Sequence, residues 1–384
     1  MQPLSIVHLT TYLQGGAGRA ITELACAQRA AGNRVLVMAS ATGYPGYGNY
    51  PHYIERLVNA GVDLVLEDSL FSRDASLNRR ALARLQAVCR QDNVDLVHAH
   101  AGTPARIGLA YAEDCGRHRA GAQHRVPCVI QTQHGWGTNK SETQAREDLD
   151  VLRRVTRVVV TSDATRTLLV ALGVSPERLV TIPCGIPAEA GPVSRAAESA
   201  LAPLRASGYG ILGCVGTVNA NKNQQLLIEA MTRLARLRVA AVFVGEGGEE
   251  LRRQSARLGL ADRVRAVGYQ PDAEHWIPAF DTLVVPSLTE GQGLVVLEAF
   301  RAGVPVLASA IPPLRQLVIP RHTGWLFDPH DAGGLATAID HVVTLPPEER
   351  AAVTRRAREA FLAGYTSELM VRRHDALYRR LRAL

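Results

Sequence analysis

The sequence predicts an α/β protein built from two doubly wound parallel sheets, and three observations carry that expectation. Short β-branched runs alternate with helical patterns from end to end, the order that results when parallel strands are joined by covering helices. At 384 residues, with 47% hydrophobic and 21% charged residues, the chain is long enough for two cores. The alternation breaks once, between Pro187 and Ser207, where Ala, Pro, Ser and Gly predominate with little periodicity.

Taken in order, the first half offers strands at 4–9, 35–39, 96–99, 128–133, 158–161 and 180–182. After the first of these, Gln14-Gly15-Gly16-Ala17-Gly18 opens a helix whose Ile21, Leu24 and Ala25 share a face. The pattern resumes with strands at 211–215, 241–244, 264–266, 282–285 and 306–308. The expected domains are residues 1–187 and 208–360, with 188–207 as the connection and 361–384 as a terminal helical segment. In open sheets of this kind ligands sit beyond the carboxyl ends of the strands, so the loops there are the places to look for function.

Composition narrows the function classes. No stretch approaches ~18 consecutive apolar residues, and the start Met-Gln-Pro-Leu-Ser-Ile-Val-His lacks the basic flank of a signal peptide, so a cytoplasmic protein is expected. The six cysteines, at 26, 89, 115, 128, 184 and 214, include no C-x-x-C pair and read as small buried hydrophobes. The formal charge is +7, but arginines are dispersed, aromatic content is 5%, and no nucleic-acid-binding motif is present. Two basic stretches, Arg79 to Leu85 and Val371 to Leu384, are patterned as amphipathic helices that could rest on an anionic membrane or simply face water.

The richest segment runs from Pro286 to Ala308, where Glu290 and Glu298 flank a glycine-bordered turn into an apolar run. A helix from Leu294 to Ala302 should be buried, and a buried carboxylate such as Glu298 needs a hydrogen-bonding partner. The amides of Gly291, Gln292, Gly293 and Leu294 would stand at that helix N-terminus, placed for anionic or hydroxyl-rich material. A sugar diphosphate meets both demands. Gly15 and Gly16 could bring amides against a phosphate in the same way, or form only a tight turn.

Lys222 follows Gly216-Thr217-Val218-Asn219-Ala220-Asn221 near the start of a helix. Only Lys140 and Lys222 among the 43 basic residues are lysines, so this one reads either as a compact cation for a diphosphate or as chance placement. Histidines gather at His98, His100 and His134 after two first-half strands. His98 and His100 would share a strand face, but no third ligand at a metal-site spacing accompanies them. His134-Gly135 reads as an imidazole offered to a substrate. Asp148-Leu149-Asp150 is formally an Asp-x-Asp, yet Leu149 and Leu152 place it on a helix whose acidic side faces water.

Together these segments resemble glycosyltransferase family 4, the retaining nucleotide-sugar transferases of GT-B fold. The likeness is strongest over 211–338: Gly216 to Lys222, Val242 to Gly247, the two glutamates at 290 and 298, and His322 to Pro329. The glycine turn, His100, His134-Gly135 and Thr181 to Ile186 are similar less specifically. The resemblance implies two Rossmann-like domains facing across a cleft, with the C-terminal helix returning to the first. It also implies that His134, Lys222 and Glu290 are catalytic, Lys222 with the amides of Gly15 and Gly16 stabilising the departing diphosphate. Thr217, Gly291, Gln292, Gly293 and Leu294 would line the sugar donor, and Glu298 would take the ribose hydroxyls.

The donor is then a UDP- or GDP-sugar, with no cofactor and no metal, and the acceptor a glycan or lipid-linked hydroxyl in bacterial surface polysaccharide, lipopolysaccharide or glycolipid synthesis. Acceptor contacts would fall in the loops 44–52 and 136–142, base contacts near 268–272. Two departures stand out: Thr217 where the family usually has Arg, and Gln292 where it has Phe. The first motivates a catalytically silent sugar-nucleotide-binding subunit as one alternative; a nucleotide-sugar epimerase is another.

Overall fold

The computed structural model describes residues 2–44, 46–68, 73–90, 93–118, 126–137 and 140–383. Pro45, Thr138 and Asn139, within the two expected acceptor loops, lie outside the described residues. The chain forms two compact units, Met1–Gly185 with Ser367–Leu384, and Ile186–Thr366.

In the first unit the strands are β1 (Ser5–Leu9), β2 (Arg34–Ala39), β3 (Asp63–Leu66), β4 (Leu96–Ala99), β5 (Cys128–Gln133), β6 (Arg157–Val160) and β7 (Leu179–Thr181). Between them lie α1 (Gly15–Ala30), α2 (Pro51–Asn59), α3 (Ala75–Val88), α4 (Gly102–His118), α5 (Glu142–Arg154) and α6 (Asp163–Ala171). The sheet order is β3-β2-β1-β4-β5-β6-β7, every pairing parallel. Because helices cover both faces, the central strands are buried along almost their whole length.

The second unit carries α7 (Arg195–Ala206), β8 (Gly210–Val215), α8 (Gln225–Met231), β9 (Val239–Val244), α9 (Glu249–Arg257), β10 (Val264–Ala266) and β11 (Thr282–Val285). It continues through α10 (Leu294–Ala302), β12 (Val306–Ser309), α11 (Pro312–Leu317), β13 (Trp325–Phe327), α12 (Ala332–Thr344) and α13 (Pro347–Gly364). Its sheet is parallel in the order β10-β9-β8-β11-β12-β13. Side-chain alternation divides its core: Ala240, Val242 and Val244 of β9 pack with α7, α10 and α13, while Ala241 and Phe243 pack with α8 and α12.

Three expectations are corrected. Residues 188–207 are not a bare connection, because α7 buries Ala197, Leu201 and Leu204 in the second unit's core. Their i, i+4, i+7 spacing is helical, but Pro203 and the surrounding Ala and Ser hid it. The terminal segment 361–384 divides: α13 ends in the second unit, and α14 (Ser367–Arg382) joins the first, packing on α1. Strands β3 and β13 were not expected. Both are sheet edges, only four and three residues long, and β3 is half-exposed.

Candidate functional site

In the second unit three strand-end loops are tied together. Gly216 donates its N–H to the Val244 carbonyl at 2.8 Å and Val218 to the Glu246 carbonyl at 2.8 Å. Leu288 N–H reaches the Asn221 carbonyl at 2.7 Å, joining the loop after β11 to the loop after β8. Gly245 has φ +153°, and a Cβ there would stand 2.1 Å from the Gly216 carbonyl oxygen, so the close crossing demands glycine. Gln224, buried, donates through Nε2 to the Thr217 carbonyl at 3.1 Å and closes the turn from inside.

These ties bring Lys222 and Glu290 together: Nζ donates to Glu290 Oε1 at 2.6 Å, and Ser287 Oγ donates to the same oxygen at 2.8 Å. The Lys222 side chain is 31% exposed and that of Glu290 11%, so the ammonium stays accessible while the carboxylate is largely covered. Their shared neighbour Cys214 has its thiol pushed up to about 12 by burial, opposed by Lys222 and reinforced by Glu290. An ammonium has three donors, of which Glu290 takes one. The pair can thus offer a cation to phosphate and an oriented carboxylate to a hydroxyl.

Just beyond Glu290, α10 begins from Gly293 in the left-handed conformation, φ +92°, with no side chain capping the helix. A Cβ at Gly293 would lie 2.5 Å from Leu314 Cδ2, so only glycine seats the turn against α11. Gln292 is buried, Gly291 and Leu294 are half-buried, and Thr217 is exposed on the Lys222 loop. Glu298 departs from expectation: α10 buries Val296, Leu297, Ala299, Phe300 and Arg301, but Leu294, Val295 and Glu298 form a half-exposed side. The fully buried ion on this helix is Arg301, held by Glu274 Oε2 at 2.6 Å.

In the first unit Gly15 and Gly16 are exposed at the start of α1, which begins at Gly15 itself. Tyr53 OH donates to the Gly15 carbonyl at 3.2 Å and Leu13 N–H to Asn49 Oδ1 at 2.8 Å, fixing the turn. Half-buried His134, just past β5, bonds through Nε2 to His100 Nδ1 at 3.2 Å. His100 Nε2 bonds His8 Nδ1 at 3.1 Å, and His8 Nε2 bonds Gln28 Oε1 at 2.7 Å. His98 bonds Thr132 Oγ1 at 2.7 Å and the hydroxyl of Tyr378, while His374 bonds the Met370 carbonyl at 2.9 Å.

His8 is the third ring that spacing alone did not supply, since the parallel register sets His8 opposite His98. The ligand-capable atoms of His8, His98 and His100 lie within 4.8 Å of one another. His374 and Tyr378 arrive on α14; no local motif marks them. Burial holds His8, His134 and His374 down at about 4, with His374 adding to the lowering for the first two. His98 and His100 are driven well below the ordinary range by burial and then by neighbouring rings.

The Asp-x-Asp also resolves differently from expectation. Asp148 is buried, paired with Arg73 at 2.8 Å and Lys140 at 2.7 Å, whereas Asp150 is exposed beside Arg154. The two carboxylates serve different surroundings.

Comparison with known proteins follows the division into units. Residues 14–190 match the family model Glycosyltransferase Family 4, and residues 201–360 match Glycosyl transferases group 1. Among curated relatives, a D-inositol 3-phosphate glycosyltransferase 2 of Catenulispora acidiphila is 29% identical over 68% of this chain; the chain spans 66% of its length. A D-inositol 3-phosphate glycosyltransferase of Saccharomonospora viridis is 28% identical, over 90% of this chain and 84% of the relative.

Among solved structures, Anabaena HepE in complex with UDP and glucose has a TM-score of 0.83 at 20% identity, over 98% of this chain and all of that one. Sucrose-phosphate synthase of Thermosynechococcus elongatus has a TM-score of 0.81 at 22% identity, with 99% of each chain covered. These likenesses give the fold, an α/β two-domain architecture of GT-B type. One family model accounts for most of the first half and the other for most of the second, and the chain belongs to glycosyltransferase family 4.

Proposed function

We propose that this protein is a retaining, metal-independent glycosyltransferase that moves a sugar from a nucleoside-diphosphate sugar to a hydroxyl of a glycan or lipid-linked acceptor. The observation that carries the reading is the 2.6 Å pair of Lys222 and Glu290 on two bound strand-end loops, beside the uncapped N-terminus of α10. Lys222 stabilises the diphosphate as it leaves, and Glu290 accepts hydrogen bonds from the sugar hydroxyls. Glu298, one helical turn further and half-exposed, takes the ribose hydroxyls. In the first unit the same reading gives the amides of Gly15 and Gly16 to the diphosphate and His134 to the sugar.

No protein base is required if the acceptor attacks the face the diphosphate leaves and a leaving-group oxygen takes its proton. Leaving-group charge is met by an ammonium and helix amides rather than by a divalent ion. A UDP-sugar is favoured as donor because HepE, the structural likeness above, is described with UDP and glucose bound. The inositol phosphate relatives are consistent with a hydroxyl-rich acceptor. Thr217, exposed where the family usually has Arg, favours the competing reading of a silent subunit.

A panel of UDP-, GDP- and ADP-sugars, each with and without glycan and lipid-linked acceptors, separates the readings. Nucleoside diphosphate release that requires an acceptor and survives EDTA is the expected result. Interconversion of the sugars without acceptor would instead indicate an epimerase, and binding without turnover a silent subunit. Loss of activity in EDTA restored by a divalent ion would overturn metal independence.

A further inference from the structure

We infer that His8 and His100 are positioning residues that, with Gln28, fix the tautomer of His134 so that its Nδ1 is a bare acceptor, selecting a sugar hydroxyl rather than a carboxylate. The inference rests on the proposed function, in which His134 meets the sugar. Gln28 Oε1 can only accept, so His8 carries its proton on Nε2. A neutral imidazole has one N–H, so His8 Nδ1 must accept from His100 Nε2 at 3.1 Å. By the same step His100 Nδ1 accepts from His134 Nε2 at 3.2 Å, and His134 Nδ1 is left as a lone pair. Every link in the row points one way, and linked hydrogen bonds of one direction reinforce each other.

The surroundings support neutrality. The titratable groups facing this row are His98 on β4, His374 and Tyr378 on α14, and Cys184 after β7. Burial keeps the histidines from charging and pushes the Cys184 thiol up to about 12, so the row carries no ion. Cys184 Sγ stands 4.0 Å from His134 Nδ1, a weak neighbour that a sugar hydroxyl outcompetes. A metal at His8, His98 and His100 is the rival use of the same rings. All six of their ring nitrogens already have hydrogen-bond partners, namely Gln28, Thr132, Tyr378, His134 and one another, and a metal would have to displace them.

The test is nitrogen NMR of the full chain labelled with ¹⁵N-histidine, in which protonated and bare ring nitrogens resonate apart. The wild type should show His134 protonated at Nε2 and bare at Nδ1 from pH 7 to 5. In His100→Phe the tautomer should change. Gln28→Leu, remote from His134 and nearly isosteric, should leave the fold and give a mixture of tautomers. The same Gln28→Leu protein should lose about tenfold in kcat, the size of one misdirected hydrogen bond, with KM for the acceptor unchanged. Its preference for UDP-hexose over UDP-uronate should also narrow.

A His134 protonated at Nδ1, or a tautomer untouched by both substitutions, overturns the inference. So does a zinc titration that shifts the three rings together at one equivalent. Absence of turnover with every sugar nucleotide would instead defeat the glycosyltransferase reading, with the NMR result still deciding the tautomer.

Discussion

A carboxylate sharing an ammonium at 2.6 Å sets what each residue of the second unit can be asked to do. Replacing Lys222 by Ala removes the cation and leaves Glu290 with Ser287 Oγ at 2.8 Å. Turnover should fall about 10²–10³-fold, the range seen when one stabiliser of developing charge is deleted. The fold should survive because the Lys222 side chain is 31% exposed; unchanged kcat with unchanged circular dichroism would remove the residue from the mechanism. Lys222→Arg should not restore full rate, since the planar fork does not occupy the place of a compact ammonium. Glu298→Gln acts elsewhere: its half-exposed position on α10 predicts weaker nucleotide binding by calorimetry, with the site of glycosylation unchanged. The scarcity of lysine singles out Lys222 in the chain, and the glycine turn singles out Glu290, but neither shows their contact, and Glu298 is half-exposed where its apolar neighbours suggested burial. The buried Arg301 was not legible, since nothing local announces the Glu274 that neutralises it.

Elements show where local pattern stops being informative. Central strands are buried on both faces and rich in β-branched residues, and β4, β5 and β11 have the ends expected from sequence; β10, an edge strand of three residues, has them too. Edge strands β3 and β13 lack that second buried face or that length, and their few apolar residues do not stand out from loop. Helix α7 was hidden by its proline, and the cluster of imidazoles by its dependence on the β1–β4 register and on α14, whose Tyr378 meets His98 across a separation of 280 residues. The clearest test at this scale is the crossing of the loops after β8 and β9. Gly245→Ala places a Cβ 2.1 Å from the Gly216 carbonyl in a backbone region L-residues avoid. Strain of at least about 1–3 kcal/mol follows, and relief requires the Lys222 loop to move. Thermal unfolding should shift downward and nucleotide affinity should fall together; a destabilised protein with undiminished affinity would dissociate that loop from binding.

At the scale of the whole molecule, charge and protonation decide behaviour. Among the described residues no helix is long and apolar enough to cross a membrane. Arg79, Arg80 and Arg84 on α3 and Arg372 and Arg380 on α14 are nonetheless exposed on a chain of formal charge +7. We propose that the protein touches anionic membrane through these faces; flotation with phosphatidylglycerol vesicles, lost in zwitterionic vesicles and at high salt, is the expected result. Acid should act on the two units differently, because the buried histidines His8, His98, His100 and His374 and the half-buried His134 all lie in the first. Burial holds the folded values of His8, His134 and His374 at about 4 and drives His98 and His100 well below the ordinary range, whereas the unfolded rings titrate near 6.5. Below about 6.5 the unfolded chain therefore binds more protons, and the stability these neutral rings contribute, complete above that pH, is lost as pH falls toward 4. Each ring adds a slope of up to about 1.4 kcal/mol per pH unit in that window. Tryptophans mark the units separately, Trp136 in the first and Trp276 with Trp325 in the second. Between pH 7 and 5 the Trp136 transition in urea should move to lower denaturant while that of Trp136→Phe, which reports only the second unit, moves less. A Trp136 transition that holds its midpoint over that range would mean the imidazoles are already charged in the folded protein, and the neutral row would not exist.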